Sequence, residues 1–227
     1  MSAPYYADDL VTLYLGDARE QLYWLEADVL VTDPPYGIAW REGGLHSDRS
    51  IWSTAEQSIV GDEDVVARDE ILASWGSARP AVVFGTWRMP RPPRTTHRLI
   101  WHKAGRLPGV APAAWFPTDE EIYLIGAGWT GRPTGTVITT TEPRHMQPKL
   151  TGHPTPKPVG LMERLIEKCP TGVIADPFAG SGATLIAARN LGRPAIGVEV
   201  DERHCETIVR RLAQQAFDFG DWDGGAA

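Results

Sequence analysis

Apolar and polar positions follow two rhythms along this chain. Short runs rich in β-branched residues predict strands over 12–15, 29–32, 81–85, 99–102, 121–125, 173–175 and 195–199. Apolar residues spaced three and four apart predict helices over 18–24, 63–75, 158–169, 183–191 and 202–217, the last carrying Ile208, Leu212 and Ala216 on one face. Strands that alternate with helices indicate an α/β fold, a mostly parallel sheet with helices on both faces. No internal repeat interrupts the pattern, and 227 residues with 42% hydrophobic content suit a single core, so one domain is expected over 1–217. Residues 218–227 hold Gly and Asp with little to bury and read as an acidic flexible tail.

Two stretches interrupt the rhythm with chemistry. Asp176-Pro-Phe-Ala-Gly-Ser-Gly182 lies between a predicted strand and a predicted helix. Gly180 and Gly182 let the backbone pass close to a ligand, and the helix start offers unpaired N–H groups, which makes Asp176, Phe178, Ala179, Gly180, Ser181 and Gly182 a candidate nucleotide site. An ordinary tight turn would look the same at the two glycines alone. Glu199 favours the nucleotide: it ends the next strand nineteen residues after Gly180, where a carboxylate can accept hydrogen bonds from ribose hydroxyls. These features do not separate a dinucleotide from S-adenosylmethionine.

Asp33-Pro-Pro-Tyr36 stands where the apolar strand 29–32 runs out. Two prolines cannot sit inside a central strand, so they fix an exposed turn at the carboxyl edge of the sheet, where ligands bind in open α/β folds. A structural turn is the plain alternative. The chemical use is more specific. An amino group on a nucleobase has its lone pair drawn into the ring, and Asp33 with the carbonyl of Pro34 can accept its N–H bonds and return that pair to the nitrogen. Tyr36 can stack on the base, and Pro35 keeps the turn rigid.

Charge adds a partner to this picture. The net charge of −7 argues against a polyanion until its distribution is counted: residues 71–162 hold eleven basic and four acidic side chains, so the middle is +7 and the two ends together −14. Residues 71–118 contain no acid, and Trp87, Trp101, Trp115, His97 and His102 lie among their cations. A solvated basic surface would show the same charge. The interleaved aromatics favour a nucleic-acid face, with Arg88, Arg91, Arg94, Lys103 and Arg106, and Arg41 and Arg49 earlier in the chain, as candidate DNA contacts. Cys169 and Cys205 lack CxxC spacing and read as buried thiols, so neither a disulfide framework nor a bound metal is expected. No apolar run approaches the roughly 18 residues of a membrane span, and the N-terminus lacks a signal peptide's pattern, so a cytoplasmic protein without a membrane partner is expected.

Together these motifs resemble the family of DNA amino-methyltransferases that modify adenine N6 or cytosine N4, along most of the chain. Asp33-Pro-Pro-Tyr36 precedes the cofactor loop, which is the circularly permuted order of the β group. Leu15-Gly-Asp17 looks like that group's companion motif, and His153-Pro-Thr-Pro-Lys-Pro158 looks like its other cofactor motif. The resemblance implies a Rossmann-like fold of the class I methyltransferase type and S-adenosylmethionine as cofactor. It also implies that Asp33, Pro34, Pro35 and Tyr36 are catalytic. Asp17 would meet the cofactor's adenine, Thr155 and Lys157 its methionine carboxylate, and Phe178 would line the methionine pocket beside Asp33. The substrate would be double-stranded DNA, handled by a monomer or homodimer, with base flipping and direct displacement at adenine N6; cytosine N4 is the alternative, since Asp-Pro-Pro-Tyr occurs with both.

Two departures from the family pattern matter. Arg88-Met-Pro-Arg-Pro-Pro-Arg94 leaves no room for the helix that relatives carry between the strands 81–85 and 99–102. No long insertion suggests a separate target-recognition domain, so base reading would fall to loops over 39–57 and 86–118. Other classes stay open: the same chemistry on RNA or a protein glutamine, a non-catalytic DNA-binding relative, and an NAD-dependent oxidoreductase, which leaves the Asp33 turn unexplained.

Overall fold

A computed structural model describes residues 3–37, 64–104, 118–141 and 156–218, with side chains as far as 214. Its strands are β1 (Tyr6–Ala7), β2 (Val11–Leu15), β3 (Val29–Thr32), β4 (Ala81–Gly85), β5 (Thr95–Lys103), β6 (Asp119–Ile125), β7 (Val137–Thr140), β8 (Ile174–Asp176) and β9 (Ala195–Glu199). They form one sheet in the order β1-β2-β9-β8-β3-β4-β6-β5-β7. Five of the eight described pairings are parallel; β1 against β2 and both neighbours of β6 are antiparallel. The helices are α1 (Val66–Trp75), α2 (Val159–Ile166), α3 (Ala183–Asn190) and α4 (Glu202–Asp218), with a 3-10 helix at Leu22–Glu26.

Alternation along the central strands sends side chains into two cores. Val29 and Val31 of β3, with Val82 and Phe84 of β4, face one cluster; Leu30, Ala81 and Val83 face the other. Every residue of β3 and β4 is buried, as parallel strands covered on both sides require. On the first face α2 contributes Leu161, Met162, Leu165 and Ile166, and α4 contributes Cys205, Ile208 and Leu212. Residues Ala183 to Ala188 of α3 are all buried, and small side chains let this helix pack closely on both α2 and β9. Trp24, Ile71 and Trp75 cover the second face.

The expected mostly parallel sheet with helices on both faces is therefore found, and the connection 86–94 contains no helix. The expected helix over 18–24 is not. The Trp24 indole N–H donates to the carbonyl of Ala18 at 2.9 Å, occupying the acceptor that a regular helix would use, and only the short 3-10 helix forms beyond it. Two strands were missed, β1 and β7, both at sheet edges. Among the described residues no helix is long and apolar enough to cross a membrane.

Topology positions the site. From β3 the chain crosses through α1 to β4 on one side, whereas from β8 it crosses through α3 to β9 on the other, so adjacent β3 and β8 form the switch point of the sheet. Their carboxyl ends carry Asp33 and Asp176.

Candidate active site

The cofactor edge is stitched together by short hydrogen bonds between side chains and backbone. Thr32 Oγ1 donates to Asp176 Oδ1 at 2.8 Å, joining the last residues of β3 and β8 directly. Asp176 also accepts the Phe178 N–H at 3.1 Å and a bond from Thr184, which fixes the turn at the foot of α3. Burial pushes its carboxyl up to about 6, with the negative charge of Asp33 adding to the rise and these three donors opposing it. Gly182 caps α3 at φ 80°, a left-handed conformation, and a Cβ there would lie 2.8 Å from Ile208 Cγ1. Glu199 Oε2 accepts the Gly180 N–H at 2.7 Å and Oε1 the Asp201 N–H at 2.9 Å. The Glu199 carbonyl accepts the Gly16 N–H at 2.9 Å, so the ends of β2 and β9 are tied together beside the same turn. A carboxylate has about four acceptor positions, so Glu199 can hold this turn and still accept hydroxyl donors. That donor set fits the ribose and amino-acid ends of S-adenosylmethionine.

A second cluster lies next to it. Asp33 Oδ2 receives Lys157 Nζ at 2.5 Å and Oδ1 receives the Tyr36 hydroxyl at 2.8 Å. The same hydroxyl is 3.1 Å from Glu120 Oε2, and Lys157 Nζ is 3.4 Å from that oxygen. Lys103 is ion-paired with the other oxygen of Glu120. The Lys157 ammonium also lies 5.2 Å from the centre of the Tyr36 ring and 5.1 Å from that of Phe84. Burial raises the Asp33 carboxyl; the Lys157 charge opposes this, and the Glu120 charge adds to it. Tyr36 is held well above its ordinary value, by burial first and then by the two carboxylates, so it acts as a donor. The Asp33 side chain keeps 21% exposure while Lys157 keeps 6%, which leaves the acid the more approachable partner.

This geometry places the glycine turn held by Glu199 beside the acidic cluster around Asp33, and similarity to known proteins says which family such a chain belongs to. A model of the family described as DNA methylase matches residues 129–210. The Type II methyltransferase M.ScaI of Streptomyces caespitosus is 38% identical, over 95% of this chain and 86% of its own length. The chain belongs to the DNA amino-methyltransferase family. Solved methyltransferases share its fold: M1.HpyAVI in complex with SAM has a TM-score of 0.58 at 20% identity, covering 89% of this chain and 100% of that one. The PvuII DNA methyltransferase, described as cytosine-N4-specific, has a TM-score of 0.57 at 18% identity, covering 97% and 90%.

In this methyltransferase the remaining expected residues are distributed as follows. Asp17, after β2, is gripped by Arg19 at 2.5 Å, which holds its carboxyl below the usual range. Phe178 is half-buried against the second core, and Ala179 and Ser181 are buried in the turn. Pro34 is buried and Pro35 half-buried beneath Asp33. Lys157, expected at the methionine carboxylate, lies between Asp33 and Glu120, where the chain entering α2 delivers it to the end of β3 and the start of β6. Lys103, expected on a DNA face, is 4% exposed; alternation along β5 turns it inward with Trp101, whose ring centre is 4.7 Å from its ammonium. Arg88, Arg91 and Arg94 are exposed on the 86–94 connection. Thr155, Arg41, Arg49 and Arg106 fall outside the described residues, as do all of the expected recognition loop 39–57 and residues 105–117 of the other.

Sequence reasoning missed Glu120, Thr32 and Phe84. For Glu120 there was a signal: the triplet Asp119-Glu120-Glu121 ends the long acid-free stretch and starts a strand. Because β6 runs antiparallel to β4, pairing Gly85 with Glu121, its beginning lies at the same edge as the end of β4.

Proposed function

We propose that this methyltransferase transfers a methyl group from S-adenosylmethionine to N6 of adenine in double-stranded DNA. The observation that carries the reading is the Thr32 to Asp176 hydrogen bond at 2.8 Å, which holds the cofactor turn and Asp33-Pro-Pro-Tyr36 at one edge of adjacent strands. S-adenosylmethionine, when bound, supplies an electrophilic methyl group on a sulfonium, open to in-line displacement. Glu199 would accept ribose hydroxyls, and the turn at Gly180 would let the backbone pass close to the cofactor.

Asp33 and the Pro34 carbonyl accept the amino N–H bonds of a base turned out of the duplex, favouring a nitrogen with a free lone pair. Asp33 is an acceptor here, not a base that removes the proton beforehand: a carboxylate with an ordinary value near about 4 is far too weak for an arylamine. The methylated nitrogen sheds its proton readily afterwards. Tyr36, anchored at its hydroxyl, is held for stacking, worth about 1 to 3 kcal/mol per base and comparable to the cost of flipping. Exposed Arg88, just after β4, is suited to phosphate contacts near this edge, whereas Arg94, next to Thr95 at the level of the start of β4, lies toward the opposite one.

Cytosine N4 is the second reading. The PvuII enzyme that shares the fold is described as cytosine-N4-specific, and that base offers the same kind of amino group. Mass spectrometry of nucleosides decides between them, using DNA from a methylation-deficient bacterial host with and without this protein. N6-methyladenine appearing only on expression is the expected result; N4-methylcytosine would move the substrate and leave the Asp33 role intact, and neither mark from soluble protein would overturn the DNA reading.

A further inference from the structure

Asp33 enters its proposed task with both carboxyl oxygens already engaged, Oδ1 by the Tyr36 hydroxyl and Oδ2 by the Lys157 ammonium. A carboxylate has about four acceptor positions, so an amino group can still find one, but a phenol proton and an ammonium already on Asp33 make it a weaker acceptor. A phenol has one proton and can serve one carboxylate at a time, and Glu120 Oε2 stands 3.1 Å from that hydroxyl against 2.8 Å for Asp33. The same Glu120 oxygen is 3.4 Å from Lys157 Nζ. One oxygen therefore lies within reach of both donors that occupy Asp33, and only small movements separate the two arrangements. Lys103, buried on β5, pairs with the other oxygen of Glu120 and keeps a negative charge there acceptable.

We propose that Glu120 is a positioning residue that takes over the Tyr36 hydroxyl and the Lys157 ammonium when a base amino group docks on Asp33. This rests on the reading of Asp33 as the amino acceptor. No bond to carbon forms or breaks in the exchange; two hydrogen bonds move from one carboxylate to its neighbour. The exchange makes Asp33 the stronger acceptor at the moment it is needed, while Tyr36 and Lys157 stay satisfied. Among the described residues, the titratable and charged groups around Asp33 are Tyr36 on its own turn, Glu120 on β6, Lys103 on β5, Lys157 before α2 and Asp176 on β8.

The test is single-turnover methylation of unmethylated bacterial DNA at saturating S-adenosylmethionine and DNA, followed across pH. Glu120→Gln keeps size and an acceptor but removes the charge. Its plateau rate should fall about tenfold, as for a lost charged hydrogen bond, because Lys157 and Tyr36 remain on Asp33. Its acid limb should move to lower pH, because a negative charge that raises Asp33 is gone. Lys103→Gln, which unmasks Glu120, should move that limb to higher pH. Opposite displacements are the expected signature, since a structural lesion has no reason to shift the two variants in opposite senses. Unmoved limbs, or shifts of the same sign, would overturn the role of Glu120. Asp33→Ala, which removes the acceptor altogether, separates the two layers: if it still transfers at the wild-type rate, the acceptor reading fails and the inference with it; if it is inactive while the limbs do not move, only the inference fails.

Discussion

On the β2-β9-β8 side the site is built largely from backbone: the Gly16 N–H meets the Glu199 carbonyl, the Gly180 N–H meets the Glu199 carboxylate, and the Ala179 N–H meets the Val198 carbonyl, all within 2.9 Å. On the other side it is built from long side chains: Lys157, before α2, pairs with Asp33 and with Glu120 of β6, and Lys103 of β5 pairs with Glu120. A backbone-built site depends on local turns and is specified by short motifs. A side-chain-built site depends on strand register and on charge balance among groups far apart in the chain. The first should fail through conformation and the second through electrostatics.

The largest effect should come from the side-chain half. Asp33→Ala should lower the transfer rate by about 10² to 10³, on the scale of losing one electrostatic partner in a transition state, while retaining part of the cofactor affinity. Radiolabelled methyl transfer beside calorimetric titration with S-adenosylmethionine measures both, and near-wild-type turnover would remove Asp33 from its role.

Next is Asp176, the carboxylate that joins the halves. Its folded value of about 6 lies above the ordinary 3.8. The folded state therefore binds the proton more tightly, and this contribution to stability is full below about pH 4 and lost as pH rises through about 6. Over that window it amounts to on the order of 3 kcal/mol. Urea unfolding of wild type and Asp176→Asn should show the wild type losing ground relative to the variant between those pH values; a difference that stays flat would contradict the buried, raised carboxyl.

Smaller again is a conformational lesion in the backbone half. Gly182→Ala puts a Cβ at φ 80° and 2.8 Å from Ile208 Cγ1, and should cost about 2 kcal/mol of stability along with cofactor affinity. Unfolding curves and cofactor titration of this variant, set beside Asp33→Ala, tell the halves apart, since the glycine change should act mainly through stability and cofactor affinity and Asp33→Ala mainly through the transfer rate. The smallest expected signal is at the thiols. Cys169 and Cys205 are buried and burial pushes both up to about 12, so a disulfide-exchange reagent at pH 8 should label neither in the native protein and both after unfolding.

Legibility followed the same division. Residues 29–32, 81–85 and 195–199 were bounded correctly from sequence because uninterrupted apolar runs mark strands buried on both faces. Edge strands β1 and β7 lack that signature, with two and four residues only partly covered. The helix expected at 18–24 had suitable spacing, and lost to a local hydrogen bond from the Trp24 indole to the Ala18 carbonyl. Lys103 looked like one more cation in a basic stretch, and the pleat of β5 turned it inward.

By itself the sequence determined the alternation of strands and helices, the glycine turn after β8, the rigid Asp33-Pro-Pro-Tyr36 corner and the family to which they belong. All of these are local, written in neighbouring residues whose backbone preferences hold wherever the segment lies. Only the tertiary structure decided which charges meet: the antiparallel placement of β6 between β4 and β5 brought Glu120 to the edge that bears Asp33, and the entry into α2 set Lys157 between them. Spacing along the chain does not encode such meetings, because the register between distant strands is chosen by the packing of the whole sheet.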